Sequence, residues 1–359
     1  WEAGGRTPRG FAGDIVAALE RVMAEDPDHF GAIHLYIHAV EASVSPERAE
    51  PYADRLAAMN LGTGHLVHMP SHVYYRVGRY RDALKANQLA VATDEAYVKD
   101  TGAAGLYPSM YYPLNVHFLM ASAQMAGDGR TVIAAAEKLD EVVPYDAARA
   151  VPLAQPIKAA LYFAHAQYSE PETILSIAEP PADIPYLMAM WHYARSVAQV
   201  TKGDLAAARA EADAIAEIER AADFSKLEAA LIPGAEVVGL AHDVVLARIA
   251  KAEGDLDTAI DHLKTAAATE ESLIYMEPPY WYYPVRQTLG ATLLQAGRVD
   301  EAKVEFETAL AKAPNSGWAL YGLREVAQAR NDQAAIEEME ARLTEAWIGD
   351  RSLLDLGRL

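Results

Sequence analysis

Four short turns constrain this chain more than any other feature. Gly78-Arg79, Gly203-Asp204, Gly254-Asp255 and Gly297-Arg298 each close an apolar stretch, and an alanine follows five residues after each glycine, at Ala83, Ala208, Ala259 and Ala302. A glycine just past a helix takes the left-handed cap conformation without steric cost, and a helix beginning a few residues later makes a helical hairpin. Between the turns alanine, leucine and glutamate dominate, apolar residues recur at three- and four-residue intervals, and β-branched runs bounded by turn signals are rare. The expected fold is all-α, an array of antiparallel helix pairs.

The best-formed pair, Tyr283 to Asn315, carries Leu289, Gly290, Ala302, Phe306, Ala309 and Pro314 at spacings that resemble the tetratricopeptide repeat. A looser copy follows from Trp318 to Leu343, and another precedes it around Leu246, Ala259, Leu263 and Ala266. Ala49 and Ala83 stand 34 residues apart, the length of that repeat, and Ser45-Pro46 supplies a cap and a first-turn proline. The resemblance implies a right-handed superhelical solenoid. We divide it into N-terminal repeats over 1–140, irregular helical repeats over 141–235, where Glu170-Pro171 and Glu179-Pro180-Pro181 break the pattern, and C-terminal repeats over 236–359. About 15 extra residues between Ala83 and Val132, and the segment YMEPPYWYYP at 275–284, are expected as loops on one rim. The latter could form a lid or aromatic wall, or could pack between hairpins.

Six of the eleven histidines fall between His29 and His72. His34 and His38 are four apart, His68 and His72 are four apart, and the pairs are offset by 34 residues, so one helical pair is presented twice. Residues four apart share a helix face; His65, His68 and His72 line one stripe, and Glu41 extends the first stripe one turn past His38. By resemblance to tetratricopeptide repeats, this register of the first helix points into the concave groove, and His117 falls in the same register of the next unit. First helices stack roughly 8–10 Å apart. Imidazoles from three neighbouring helices could then converge, and neutral imidazole is the commonest metal ligand. The alternative is that these histidines hydrogen-bond tyrosines such as Tyr36, Tyr74 and Tyr75.

Five collinear segments make the whole chain resemble one histidine-rich bacterial tetratricopeptide family: HFGAIHLYIHAVEAS from His29, GHLVHMPSHVYYRVGRYRDALKAN from Gly64, YYPLNVHFL from Tyr111, WHYAR from Trp191 and EPPYWYYPVRQTLG from Glu277. The resemblance carries no assigned reaction. Phe30 stands where the family usually has proline, and Leu114 where it has histidine, so one groove ligand is expected to be missing.

The expected metal ligands are His34, His38, Glu41, His65, His68, His72 and His117, holding a divalent transition metal, zinc or copper first and iron or nickel as alternatives. Asn87, Asn115, Arg76, His192 and Tyr75 are expected to support the ligands or meet a substrate. Asn87 occupies the position that Phe306 fills in the later repeat. With no cysteine, any metal must rest on nitrogen and oxygen ligands. A formal net charge of −20 repels phosphate backbones, so nucleic acid is not an expected partner. There is no HExxH helix, glycine-rich lysine loop or GxSxG elbow, and no apolar run long enough to span a membrane. Three readings stay open: a metalloenzyme acting on a small molecule in the groove, a passive metal carrier, and a metal-free scaffold binding a peptide or protein there. Opening on Trp1 rather than Met, the chain is expected to have residues upstream, so cytoplasmic and exported (periplasmic) locations both stay open.

Overall fold

The computed structural model describes residues 1–2, 4–105 and 107–358, and these contain helices and turns but no strand. The chain is a tetratricopeptide-like helical solenoid. Its first part holds α1 (Ala12–Glu25), α2 (Phe30–Glu41), α3 (Glu50–Ala58), α4 (Gly64–His68) and α5 (Pro70–Arg76), then the long α6 (Tyr80–Thr101). The pair α7 (Tyr112–Ala126) and α8 (Gly129–Val142) follows, then a less regular stretch of α9 (Tyr145–Ala150), α10 (Ala154–Tyr168) and α11 (Pro171–Leu175). Regular hairpins resume with α12 (Pro185–Lys202) and α13 (Leu205–Ala221), and the short α14 (Ser225–Ala229) leads into α15 (Gly234–Ala252) and α16 (Leu256–Ser272). The last pairs are α17 (Val285–Gln295) with α18 (Val299–Lys312), and α19 (Gly317–Ala329) with α20 (Gln333–Ala346).

The hairpin turns follow from local chemistry. Asp128, Asp204, Asp255 and Asp332 each accept a hydrogen bond from the backbone N–H three residues on, which satisfies a donor that the start of a helix leaves open. Where arginine replaces that aspartate, at Arg79 and Arg298, the guanidinium pairs with Asp82 and Glu301 one turn into the helix. The extra residues before Val132 lengthen α6 and form a wide turn at Tyr107–Tyr111.

One apolar core runs from Tyr80 to Leu354 and is shared across positions 140 and 235, while a smaller core joins α1 to α5 around Ile33, Ile37, Val40, Met69 and Val73. Tyr75 packs against both.

The array also closes on itself, which the repeat pattern does not announce. Ile348 N–H donates to Ala126 O at 2.9 Å, Arg81 reaches Thr344 O at 2.9 Å, and Asn315 reaches Gly78 O at 3.3 Å. Gly127 (φ +86°) ends α7 in the left-handed conformation, and a Cβ there would enter the Trp347 indole; at Gly78 (φ +79°) one would meet the Pro314 carbonyl. Both glycines thus serve a turn and a close approach at once.

Closure alters the fate of the 275–284 segment. Its later half lies inside the array and not on a rim: Trp281 packs edge-on against Phe163, Tyr193 and Tyr283, and Tyr280 to Tyr283 are all buried, whereas Tyr275 stays exposed. Its aromatic rings bury far more apolar surface inside than a rim position would offer, and that decides its path. Packing, and not a lid, is what these rings do.

Candidate metal centre

Three segments build the site. Helix α2 supplies His34, His38 and Glu41; α4 and α5 supply His65, His68 and His72; and the inner segment supplies Glu277. Phe30, at the family's proline position, is the first residue of α2 and half exposed, a place where proline is well tolerated. The His65–His72 stripe is not one helix, because Pro70 has no N–H to donate and α4 ends at His68. Met69 keeps helical angles (φ −52°, ψ −39°), so the stripe survives the break: the His65 and His68 rings lie 6.0 Å apart, and those of His68 and His72 4.7 Å.

At the buried end, His72 is the hub. Its Nδ1 lies 3.1 Å from Glu277 Oε2 and 2.6 Å from Glu41 Oε2, with side-chain exposures of 5% for His72, 11% for Glu41 and 3% for Glu277. The Glu277 contact is an aligned hydrogen bond, whereas Glu41 Oε2 has no hydrogen-bond partner despite its closeness. Glu277 Oε1 is also without a partner. Glu41 Oε1 stands 3.2 Å from His38 Nδ1. His38, Glu41 and His72 therefore present one donor atom each within 4.8 Å of one another, and His34, His38 and His65 do the same. Nε2 of His34 and Nε2 of His65 are 3.2 Å apart.

Behind His72 a chain of hydrogen bonds assigns the protons. Asn87 Nδ2 donates to Ala83 O, which leaves Asn87 Oδ1 as the acceptor 2.7 Å from His68 Nδ1. His68 thus carries its proton on Nδ1 and accepts at Nε2 from His72 Nε2–H, 2.9 Å away. His72 Nδ1 is left to face the two carboxylates.

Charge follows the same geometry. Burial opposes charge on His72, but Glu41 and Glu277 outweigh it and raise the imidazole above its ordinary value. Burial likewise opposes charge on Glu41, and the His72 charge outweighs it and holds the carboxyl low. Burial raises Glu277, with His72 pulling the other way. His65 is pushed down to about 4 by burial and the neighbouring His34, and burial pushes His68 well down. The centre thus combines neutral His65 and His68 with a charged His72 set between two buried carboxylates.

The structure brings together His34, His38, Glu41, His65 and His72, with His68 and Asn87 directly behind. It does not bring in His117, whose Nε2 meets Tyr282 OH at 2.6 Å. Leu114 lines a small cavity with His117 and Glu277. Asn115 donates at 2.6 Å to Asp94, which packs against Gly64 beside His65, and His192 pairs with Glu211 at 2.6 Å; neither bonds a clustered histidine. Arg76 donates to Glu41 O and Ser43 O, each at 3.0 Å, and tethers the end of α2. Tyr75 packs on Tyr80 and Phe118. Tyr36 and Tyr74 donate to Glu20 and Asp54 and so do not bond the histidines. His29 caps α2. Sequence reasoning missed Glu277 as a site residue; its one signal was that Glu277 opens a family segment.

Residues 250–323 match the tetratricopeptide repeat family, over the end of α15 through most of α19. No curated protein matches the chain. No helix among the described residues is long and apolar enough to cross a membrane.

Proposed function

We propose that this chain is a histidine-ligated metal-binding protein of the histidine-rich bacterial tetratricopeptide kind, holding a divalent transition metal between His38, Glu41 and His72 with Glu277 alongside. One observation carries the reading. Glu41 Oε2 at 2.6 Å and Glu277 Oε2 at 3.1 Å crowd the same His72 Nδ1, and Glu277 Oε1 has no partner. One imidazolium offsets only one of the two buried carboxylates, and a divalent cation in the proton's place would offset both. Metal bonds of about 2.0–2.2 Å place neighbouring ligand atoms roughly 3 Å apart, the scale of these contacts. The His72–His68–Asn87 chain supports it further, since a metal-bound histidine characteristically donates its other N–H to a fixed acceptor.

Two imidazoles and two carboxylates suit zinc or copper, with iron or nickel as alternatives. His38, with 39% side-chain exposure, opens the centre to solvent. An ion reachable from solvent could activate water or dioxygen on a small molecule, whereas a carrier would close its coordination sphere. The repeat match is compatible with a peptide- or protein-binding scaffold, but the inner face such a peptide would use is filled by residues 275–284.

Titration of metal-free, untagged protein with zinc and copper tests the reading. The expected result is one tight equivalent, weakened at least tenfold in Glu41→Gln and His72→Ala and unchanged in His192→Gln. Equal affinity in all four proteins would reject it. Azide binding to the copper form favours an enzyme; no azide access favours a carrier.

A further inference from the structure

Beside the metal centre, and separated from it by Glu277 and Arg76, lies a cavity of about 270 Å³ that opens toward solvent past Ile274 and Tyr275. That is near the lower end of the roughly 300–1,000 Å³ typical of small-molecule sites, which suits a single-ring molecule.

Its wall has donors with nothing to donate to. The Tyr80 hydroxyl and the Trp281 indole N–H have no hydrogen-bond partner, though both residues are only 2% exposed, and both line the cavity. Leaving such groups unpaired when buried is costly, so a partner is expected. Arg76 lines the same wall. It uses two nitrogens on backbone carbonyls, stands 5.3 Å over the Tyr275 ring and makes no ion pair among the described residues. The other wall cations are already paired: Arg286 with Glu271 and Glu305, and Lys312 with Glu271. Arg76 is thus the cation left to meet an anion. The rest of the lining is mixed: the rings of Tyr75, Tyr275 and Tyr282, aliphatic side chains, and the carboxyls of Glu270 and Glu277, which accept from Val285 N–H and His72. Ring faces of this kind stack on a flat apolar body.

We propose that this cavity binds a small aromatic carboxylate, with the carboxylate held by Arg76, Tyr80 and Trp281 and the ring between the tyrosines. Arginine and two neutral donors match the acceptor-only carboxylate; a hydroxyl can accept but brings no charge, and an ammonium would leave donor facing donor. Recognition requires no metal, although the shared Glu277 makes the cavity the natural approach for a molecule that is to reach the metal.

The test uses benzoate as probe, with benzyl alcohol lacking the charge and acetate lacking the ring, followed by calorimetry and tryptophan fluorescence on the full chain. Metal-free and zinc-loaded protein are measured separately, so failure to bind zinc and failure to bind benzoate are read independently. Benzoate is expected to bind roughly tenfold or more tightly than either comparator, as fits one charge-assisted contact. Tyr80→Phe, which keeps the ring, and Ala313→Leu, which fills the cavity from its rim, should each weaken benzoate binding several-fold with unchanged zinc uptake. Equal binding of the three probes, or undiminished benzoate binding in both folded variants, would overturn the proposal.

Discussion

Replacing Asn87 with leucine separates a polar support for the metal from ordinary packing. Asn87 is fully buried and stands where the later repeat places Phe306, so if position 87 serves packing alone, an apolar residue should suit it well. The polar account assigns two opposing effects on stability. Losing Oδ1 leaves His68 Nδ1–H with only the Ser71 hydroxyl at 3.2 Å, at a cost of about 1–3 kcal/mol. Burying a leucine side chain returns about 1.5–3 kcal/mol. The two nearly cancel, so the melting temperature is expected to move little and does not decide the matter. Metal affinity does. Without its fixed acceptor His68 can take the other tautomer, and His72 Nε2–H then meets a donor instead of a lone pair. Loss of such a support weakens metal binding about 10- to 100-fold, or about 1.4–2.7 kcal/mol. Competition with a chromophoric chelator measures it. A folded Asn87→Leu protein that binds zinc as tightly as wild type would refute the proton assignment and the supporting role.

Three further outcomes follow from the fold and its buried charges. Gly127→Ala places a Cβ in the Trp347 indole at φ +86°, so at least the about 1–2 kcal/mol of left-handed strain is expected as lost stability, with faster hydrogen exchange over residues 344–350; native exchange there would contradict the closure. Burial pushes the Glu270 carboxyl up to about 7 from 4.5, so the native state holds a proton that the unfolded chain releases, and stability is lost as pH rises through 7. Glu270→Gln should therefore raise the melting temperature above that pH and not below 4.5; an equal effect at both would count against it. His117 is held neutral by burial down to about 3, whereas the unfolded chain takes up its proton below 6.5, so stability falls as pH drops from 6.5 toward 3. His117→Gln should flatten that slope, and an unchanged acid limb would show that His117 is charged in the native protein.

The local parts of this structure were legible because local rules wrote them. Glycine turns and the alanines after them marked the hairpins at 78, 203, 254 and 297, and four-residue histidine spacing placed His34, His38, His68 and His72 on neighbouring helices. What escaped depends on distance along the chain. Glu277 reaches His72 across 205 residues, and no periodicity in either segment carries that contact. The closure through Ala126, Gly127 and Trp347 likewise joins surfaces that a repeat register cannot relate. His117 had the inward register of the other ligands and missed them because Tyr282 occupies the interior. Repeat logic assumed an open groove, and aromatic burial filled it.

Elemental analysis of protein purified without a histidine tag, wild type beside a Glu41→Gln/Glu277→Gln double variant, tests the central claim most directly. Both substitutions keep side-chain shape while removing the two charges that face His72 Nδ1. The account predicts a near-stoichiometric divalent transition metal in the wild type, released by strong chelators, and little in the folded double variant. Wild-type protein that retains no metal and takes up none, or a double variant that holds as much as the wild type, would contradict it.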